Sequence, residues 1–194
     1  MELLSMIRMV FSALSKPKQH IRIEAVPQGR IIDIGGGGEG VIAQAGGARV
    51  VAVDKHESEI DEARGKAHEA QWVVADAAAL PFEGHSFDNA TAFFSCMYMP
   101  GDTLSEVFKE TRRVLKKGGE FWIWDAEMAP KGKAFALRLR VDLRDKPSVN
   151  TAYGVRAKEQ SAEGTGRLLQ EAGFELAEVT RRKHWFFIKA RNVG

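Results

Sequence analysis

The chain has 194 residues with a formal net charge of +2 at pH 7, and 44% of its residues are hydrophobic and 28% charged. This composition is typical of one globular domain with a sizeable core, and it carries no signature of nucleic-acid binding or of low complexity. The one cysteine, Cys96, excludes an internal disulfide and a cysteine-built metal site, and no apolar run approaches the roughly 20 residues of a membrane span. We expect a single domain over residues 1–194, located in the cytoplasm and without a bound metal.

The N-terminal segment has apolar side chains at helical spacing, which predicts a helix within residues 1–20. The apolar positions are Leu3, Ile7, Val10, Phe11 and Leu14. Charged residues interrupt the stripe and no small-residue cleavage site follows it, so we do not expect a signal peptide. Three roles are open for this helix: it can pack on the domain, close over a ligand pocket as a lid, or act as an amphipathic surface anchor.

The next feature is the stretch from Arg30 to Gly40, which reads R-I-I-D-I-G-G-G-G-E-G. Its β-branched residues predict a buried parallel strand, and the four glycines after them predict a tight turn that leads into a helix. Such a turn is expected to present bare backbone N–H groups to a small polar ligand. Gly35, Gly37 and Gly40 also fit the dinucleotide fingerprint G-x-G-x-x-G, so NAD is one candidate ligand.

Asp33 distinguishes between candidate ligands, because it lies within the strand, two residues before the first glycine. A carboxylate there would repel a pyrophosphate and attract a sulfonium or an ammonium group. The stretch resembles motif I of the class I S-adenosylmethionine-dependent methyltransferases, written [DE]-x-G-x-G-x-G, at Asp33, Gly35 and Gly37. Glu39 stands where the motif has its third glycine. The resemblance implies that Asp33 and the backbone of Gly35, Gly36 and Gly37 hold the methionine part of the methyl donor.

A second strand, Arg49 to Val53, ends at Asp54, about 20 residues after the glycines, the separation expected for a residue that binds ribose. A carboxylate there can accept hydrogen bonds from both ribose hydroxyls, in NAD and in S-adenosylmethionine alike. We therefore assign Asp54 and its neighbour Lys55 to the ligand site. Ser58 is the expected N-cap of the following helix, which would run to about Glu69.

The third strand, Trp72 to Ala75, is followed by Asp76 and Ala77 and then by a loop that reads L-P-F-E-G-H-S-F-D. This segment resembles the same methyltransferase family, in which an aspartate after strand three accepts from the adenine amino group. The resemblance implies that Asp76 and Ala77 contact the adenine. It also implies that Phe94 and Ser95, at the end of strand four, lie near the sulfonium.

Three residues near the carboxyl ends of strands four and five are candidates for the catalytic step: Tyr98, Asp125 and Glu127. The edge of the sheet at which they lie is the edge where open α/β sheets bind ligands. An acceptor hydroxyl or amine would need a base or a shielded pocket, which these side chains could provide. Asp102 is the expected N-cap of an amphipathic helix between the two strands.

Beyond Pro130 the resemblance weakens. Residues Phe135 to Leu143 alternate between apolar and polar, which predicts a strand with one apolar face, and Val149 to Val155 can return as its partner. We therefore expect a β-hairpin insertion within residues 131–156. It can cap the core, form a wall of the substrate pocket or form a dimer surface. We favour a monomer, because arginines on the polar face would oppose the pairing of two hairpins.

Strand and helix patterns alternate over the first two-thirds of the chain, so the predicted fold class is α/β with a doubly wound, mainly parallel, Rossmann-like sheet. The resemblance covers about Gly29 to Asp125 and implies seven strands, of which the last runs antiparallel. Ser161 is expected to open a helix, and two further strands, Phe174 to Val179 and Trp185 to Ile188, are expected after it.

The resemblance implies an enzyme that transfers a methyl group from S-adenosylmethionine to an unidentified small-molecule acceptor and releases S-adenosylhomocysteine. An NAD-linked oxidoreductase is one alternative, although it leaves Asp33 and Asp76 without a role. A short-chain dehydrogenase would also need a lysine four residues after Tyr153, where Ala157 stands. A nucleotide-binding regulatory protein without catalysis is the other alternative, because methyl transfer requires no signature catalytic residue.

Overall fold

The computed structural model of the protein describes residues 18–128, 135–156 and 158–194. Its helices and strands, in chain order, are β1 Gln19–Ile23, β2 Ile31–Ile34, α1 Val41–Gly46, β3 Val50–Asp54, α2 Glu57–Arg64, β4 Gln71–Val74, β5 Asn89–Phe93, α3 Gly101–Val114, β6 Glu120–Ala126, β7 Phe135–Leu143, β8 Val149–Val155, α4 Ala162–Glu171, β9 Phe174–Arg181 and β10 Trp185–Asn192. Short 3-10 helices lie at Gly47–Arg49 and Cys96–Tyr98. None of the helices in these ranges is long and apolar enough to cross a bilayer.

The main sheet has seven strands in the order β4-β3-β2-β5-β6-β10-β9. Strands β2 to β6 run parallel to one another, and β10 runs antiparallel to β6. The central strands are short runs rich in β-branched residues, and every side chain of β2 is buried, as expected for a parallel strand covered on both faces. The predicted doubly wound sheet with an antiparallel last strand is therefore confirmed. Its order reverses between β2 and β5, which opens a crevice at the carboxyl ends of the strands.

Two apolar layers cover the faces of this sheet. One layer contains α3 and α4, and α3 buries Leu104, Val107, Phe108 and Val114 at the three- and four-residue spacing of an amphipathic helix. The other layer contains α1 and a second, smaller sheet. The core is thus built on both sides of the strands that carry the crevice.

The smaller sheet has three strands in the order β1-β7-β8. β7 and β8 form the predicted antiparallel hairpin, and β1 adds to β7 in parallel, with Gln19 opposite Leu139. The apolar side chains of β7, among them Leu137, Leu139 and Val141, are buried against α1 and the main sheet. The helix predicted within residues 1–20 falls mostly on residues 1–17, outside the described ranges, whereas residues 19 and 20 belong to β1.

The helix ends differ from the sequence predictions at two sites. Helix α2 begins at Glu57 with His56 as its N-cap and ends at Arg64, so Ser58 lies inside the first turn and the predicted extension to Glu69 is wrong. Helix α3 begins directly after Pro100, so Asp102 lies in the first turn and is not the predicted N-cap. Its negative charge there interacts favourably with the helix dipole. At α4 the prediction is confirmed, because Ser161 is the N-cap and its Oγ accepts from the Gly164 N–H at 3.1 Å.

Candidate active site

A cleft of about 900 Å³ lies at the carboxyl ends of β2 to β5, at the point where the strand order reverses. Such crevices are the ligand sites of open α/β sheets, and this volume suits a small molecule. The cleft is lined by most of the residues that the sequence assigned to the ligand: Gly35, Gly37, Asp54, Lys55, Asp76, Ala77, Phe94 and Ser95. Asp33 and Gly36 line a narrow recess beside it, together with Gly35 and Gly37.

The glycine turn uses its backbone N–H groups within the chain. Those of Gly35 and Gly36 both donate to the Val53 carbonyl, at 2.8 and 3.1 Å, and that of Gly38 donates to the Glu59 carbonyl at 2.8 Å. The Gly37 N–H donates to Asp54 Oδ2 at 3.3 Å. For Gly35 to Gly38 the expectation of bare N–H groups is therefore wrong, because the neighbouring strand end and α2 accept their hydrogen bonds.

The glycines are needed instead for close packing. A Cβ atom on Gly37 would lie 2.6 Å from the Glu59 Cβ, and one on Gly36 would lie 2.6 Å from Asp33 Oδ2, closer than side chains can approach. Glu39, which replaces the third glycine of the motif, keeps an ordinary backbone conformation, because Gly38 and Gly40 take the positive φ angles of 69° and 57°. The displaced glycine therefore preserves the turn.

Asp33 lies at the recess with almost no exposed surface. Its Oδ1 accepts from Thr91 Oγ1 at 2.7 Å. Burial raises the pKa of Asp33 to about 7, against the lowering effect of the Thr91 hydrogen bond, and the negative charge of Asp54 raises it further. A positively charged group in the recess would therefore stabilise the ionised form of this carboxyl group.

Asp54 is the last residue of β3, Asp76 lies two residues after β4, and both line the cleft. Asp54 Oδ1 accepts from the His56 N–H at 3.0 Å, and Asp76 Oδ1 accepts from the Ala78 N–H at 2.9 Å. These backbone contacts fix the orientation of each carboxylate. Each carboxylate has about four acceptor sites in total, which leaves capacity for hydroxyl or amino groups of a ligand.

The charge of the cleft is predominantly negative. Its lining includes the carboxylates Glu39, Asp54, Glu59, Glu62 and Asp76, against the basic side chains Lys55 and His56. An anionic pyrophosphate would meet this charge, and the N–H groups of Gly35 to Gly38 already donate within the chain. A ligand with an ammonium, a sulfonium, ribose hydroxyls and an amino group presents the complementary charges and donors, so the residues fit S-adenosylmethionine and disfavour NAD.

Of the three candidate catalytic residues, one lines the cleft. Tyr98 lines the cleft with about half of its surface exposed, at 51%. Its partial burial raises the pKa of the Tyr98 hydroxyl, which a hydrogen bond with the backbone of Gly154 partly offsets. The hydroxyl group is therefore protonated at neutral pH and suits hydrogen bonding better than proton abstraction.

Asp125 and Glu127 do not line the cleft. Asp125 is fully buried, with Oδ1 accepting from Gln160 Nε2 at 2.6 Å and Oδ2 from the Met97 N–H at 3.2 Å, and burial raises its pKa to about 7. Glu127 Oε2 accepts from the Ala162 N–H at 3.0 Å, at the start of α4. Both carboxyl groups therefore hold backbone segments in place, and this geometry favours a structural role for them.

The hairpin supplies residues that the sequence did not assign to the ligand. Thr151, Ala152 and Tyr153 of β8 line the cleft, and Tyr153 also lines the recess. The ring of Tyr153 stacks on Phe94, with centroids 5.1 Å apart and planes 7° apart. Of the roles predicted for the hairpin, the structure thus supports the wall of the pocket, together with coverage of the core.

Comparison with known proteins agrees with this geometry. Residues 32–123 match the family model of a methyltransferase domain. Sterol 4-C-methyltransferase strm-1 of Caenorhabditis elegans is 37% identical over 102 residues, which cover 48% of this chain and 30% of that protein. The ubiquinone/menaquinone biosynthesis C-methyltransferase UbiE of Cereibacter sphaeroides is 32% identical over 114 residues, 54% of this chain and 45% of that protein. The chain thus spans less than half the length of these two relatives.

Among solved structures, an S-adenosylmethionine-dependent methyltransferase from Methanosarcina mazei superposes with a TM-score of 0.63 over 88% of this chain and 99% of that one, at 20% identity. At this identity the superposition shows the fold. Residues 32–123 therefore carry a methyltransferase domain, and the fold that contains it is that of the S-adenosylmethionine-dependent methyltransferases. The resemblance found in the sequence is confirmed.

Proposed function

We propose that this chain transfers a methyl group from S-adenosylmethionine to a small-molecule acceptor and releases S-adenosylhomocysteine. The observation that carries the proposal is the set of carboxyl groups Asp33, Asp54 and Asp76, placed at three successive strands around a glycine turn in which Gly35 to Gly38 donate their N–H groups within the chain. This set accepts hydrogen bonds and attracts cations, which is the reverse of what a pyrophosphate needs.

Each carboxyl group has a separate task in this proposal. Asp33 pairs with the ammonium group of the donor, Asp54 accepts from the ribose hydroxyls, and Asp76, with Ala77, contacts the adenine. When bound, S-adenosylmethionine supplies an electrophilic methyl group on a positively charged sulfur. An electron pair of the acceptor would form the new bond to the methyl carbon, and the pair of the broken carbon–sulfur bond would stay on the sulfur of S-adenosylhomocysteine. The chain therefore has to align the partners and exclude water.

The acceptor side of the cleft supports a small, largely apolar substrate. It is lined by Met99, Pro100 and Val107 beside the hydroxyl groups of Tyr98 and Thr103. Apolar walls with a few hydroxyl groups are typical of sites that orient a small organic molecule. The two relatives named above are described as methylating a sterol and as acting in quinone biosynthesis, which is consistent with this class. Tyr98 would orient the acceptor through its protonated hydroxyl group.

Ligand binding provides the first test. S-adenosylmethionine or S-adenosylhomocysteine at about one hundred times its Kd should stabilise the protein by about 2.7 kcal/mol and raise its Tm by roughly 5 to 10 °C. NAD and NADH, measured by the same thermal melt, should leave the Tm unchanged. A rise with NAD alone would exclude the proposed activity.

Turnover provides the second test. The purified protein is incubated with methyl-labelled donor and fractionated pools of small metabolites, and transfer of label into one fraction is the expected result. The matched control is the same chain with Asp54→Ala, which should transfer much less label. Donor binding without transfer to any pool would favour the regulatory alternative.

A further inference from the structure

The inserted hairpin reaches the donor end of the cleft through one side chain, Tyr153. It lies opposite Leu137 in the β7–β8 register, so its ring points to the same face of the hairpin as the buried apolar residues. Among the described residues of the hairpin, Tyr153 is the one that lines the recess beside Asp33 and the glycine turn. The insertion therefore meets the part of the cleft assigned to the donor as well as the part assigned to the acceptor.

Phe94, the residue on which Tyr153 stacks, has a strained backbone. Its φ angle is 52°, in the left-handed region that aromatic residues rarely adopt. Its N–H donates to the Trp124 carbonyl at 2.7 Å, which ties the turn to β6. The Phe94 ring is enclosed by the stacked ring of Tyr153 on one side and the edge-on ring of Phe93, 5.0 Å away. The contacts of Tyr153 and Phe93 with this ring can therefore hold the strained turn in place.

The strained turn sets the position of Ser95 on the glycine turn. Ser95 Oγ donates to the Ile34 carbonyl at 2.6 Å, directly before Gly35. A Cβ atom on Gly35 would lie 2.5 Å from the Ser95 Cβ, so the two backbones are as close as a glycine allows. Relaxation of Phe94 to an ordinary φ angle would move Ser95 relative to the glycine turn and change the donor end of the cleft.

We propose that Tyr153 is a positioning residue for the donor site, which holds the strained Phe94 turn, and through it Ser95, against the glycine turn. The inserted hairpin is then part of the donor site, in addition to forming the wall on the acceptor side. This inference rests on the proposed function, because it concerns the site of S-adenosylmethionine.

The test is a double-mutant cycle on donor affinity, measured by calorimetry with S-adenosylhomocysteine in the full chain. Tyr153→Leu and Phe94→Leu should each weaken binding roughly three- to tenfold, the scale of one aromatic pair. The double variant should bind about as weakly as the weaker single variant, because both changes release the same turn. Tyr153→Phe keeps the ring and should bind within about twofold of the wild type.

The matched control is Asn150→Ala, on the same strand but with an exposed side chain that pairs with Lys18, and it should leave the affinity unchanged. Unchanged affinity in Tyr153→Leu, or a double variant whose loss is the product of the two single losses, would overturn the inference. If Tyr153→Leu does not fold by thermal melting, Tyr153→Met replaces it in the cycle, and if neither folds, the role at the donor site is overturned. A wild type that binds no donor would overturn the proposed function itself, which separates the two failures.

Discussion

Asp33 shows how a buried carboxyl group can couple donor binding to pH. Its folded pKa of about 7 lies above the ordinary value of 3.8, because burial disfavours the charged form. The neutral carboxyl group therefore contributes stability at low pH that is lost as the pH rises through about 7. The affinity for the methyl donor has the opposite pH dependence, because its ammonium group pairs with the ionised form of Asp33.

We predict that donor affinity rises with pH and levels off above about 7. Between pH 6 and pH 8 the Kd for S-adenosylhomocysteine, measured by calorimetry, should fall roughly tenfold, because at the lower pH binding must first remove a proton from Asp33. Asp33→Asn cannot ionise, so its weaker affinity should be nearly independent of pH over this range. The same slope in Asp33→Asn would assign the effect to another group.

Asp54 gives a second prediction at the level of one side chain. If it accepts from the ribose hydroxyls, Asp54→Ala should weaken donor binding by roughly 1.5–3 kcal/mol, the usual scale for a hydrogen bond to a charged group. Glu57→Ala is the matched control, since that neighbouring carboxylate does not line the cleft. Calorimetry checks the affinity, and circular dichroism checks the fold. An affinity equal to that of the wild type would show that Asp54 has only a structural role, in which it accepts hydrogen bonds from the Gly37 and His56 N–H groups.

At the level of helices and strands, the elements predicted correctly are those specified by local patterns. The β-branched run of β2 and the three- and four-residue spacing in α3 each determine an element without help from distant residues. The N-caps at Ser58 and Asp102 were wrong, because the cap depends on where the preceding loop turns. At α3, Pro100 holds an extended conformation and the helix begins directly after it.

The site shows the same division between local and distant information. Asp33 and Asp54 could be assigned because they lie within and at the end of predicted parallel strands, whose carboxyl ends meet, and Asp76 was assigned through the family resemblance. Tyr153 could not be assigned, because its contact with Phe94 joins residues far apart in the chain and requires the hairpin to fold over the sheet. The contacts of Asp125 could not be predicted for a related reason, since its position at a strand end does not reveal its hydrogen bonds with Gln160 and Met97.

For the whole molecule, the hairpin bears on the oligomeric state. Leu139 has no exposed surface within the single chain, and the apolar face of β7 is buried against the main sheet and α1. We therefore propose a monomer in which this face serves the core. Leu139→Asp should lower the free energy of unfolding by at least about 3 kcal/mol, because it removes apolar packing and buries a charge.

Sedimentation and thermal melting check this prediction together. The wild type should have the mass of one chain, and Leu139→Asp should unfold or melt far lower. Asn150→Asp introduces the same side chain on the exposed face of the hairpin and should melt close to the wild type. A dimeric wild type that becomes a folded monomer on Leu139→Asp would show that the hairpin is an interface between chains.

The parallel pairing of β1 with β7 gives the small sheet a high contact order. Gln19 and Leu139 are about 120 positions apart, so at roughly 5–20 residues per second the ribosome releases β1 roughly 6–24 s before its partner exists. Ile21 and Ile23, almost fully buried in the finished structure, have no β7 to pack with during that interval. The small sheet is therefore completed late in synthesis, and with it the wall from which Tyr153 reaches the donor site.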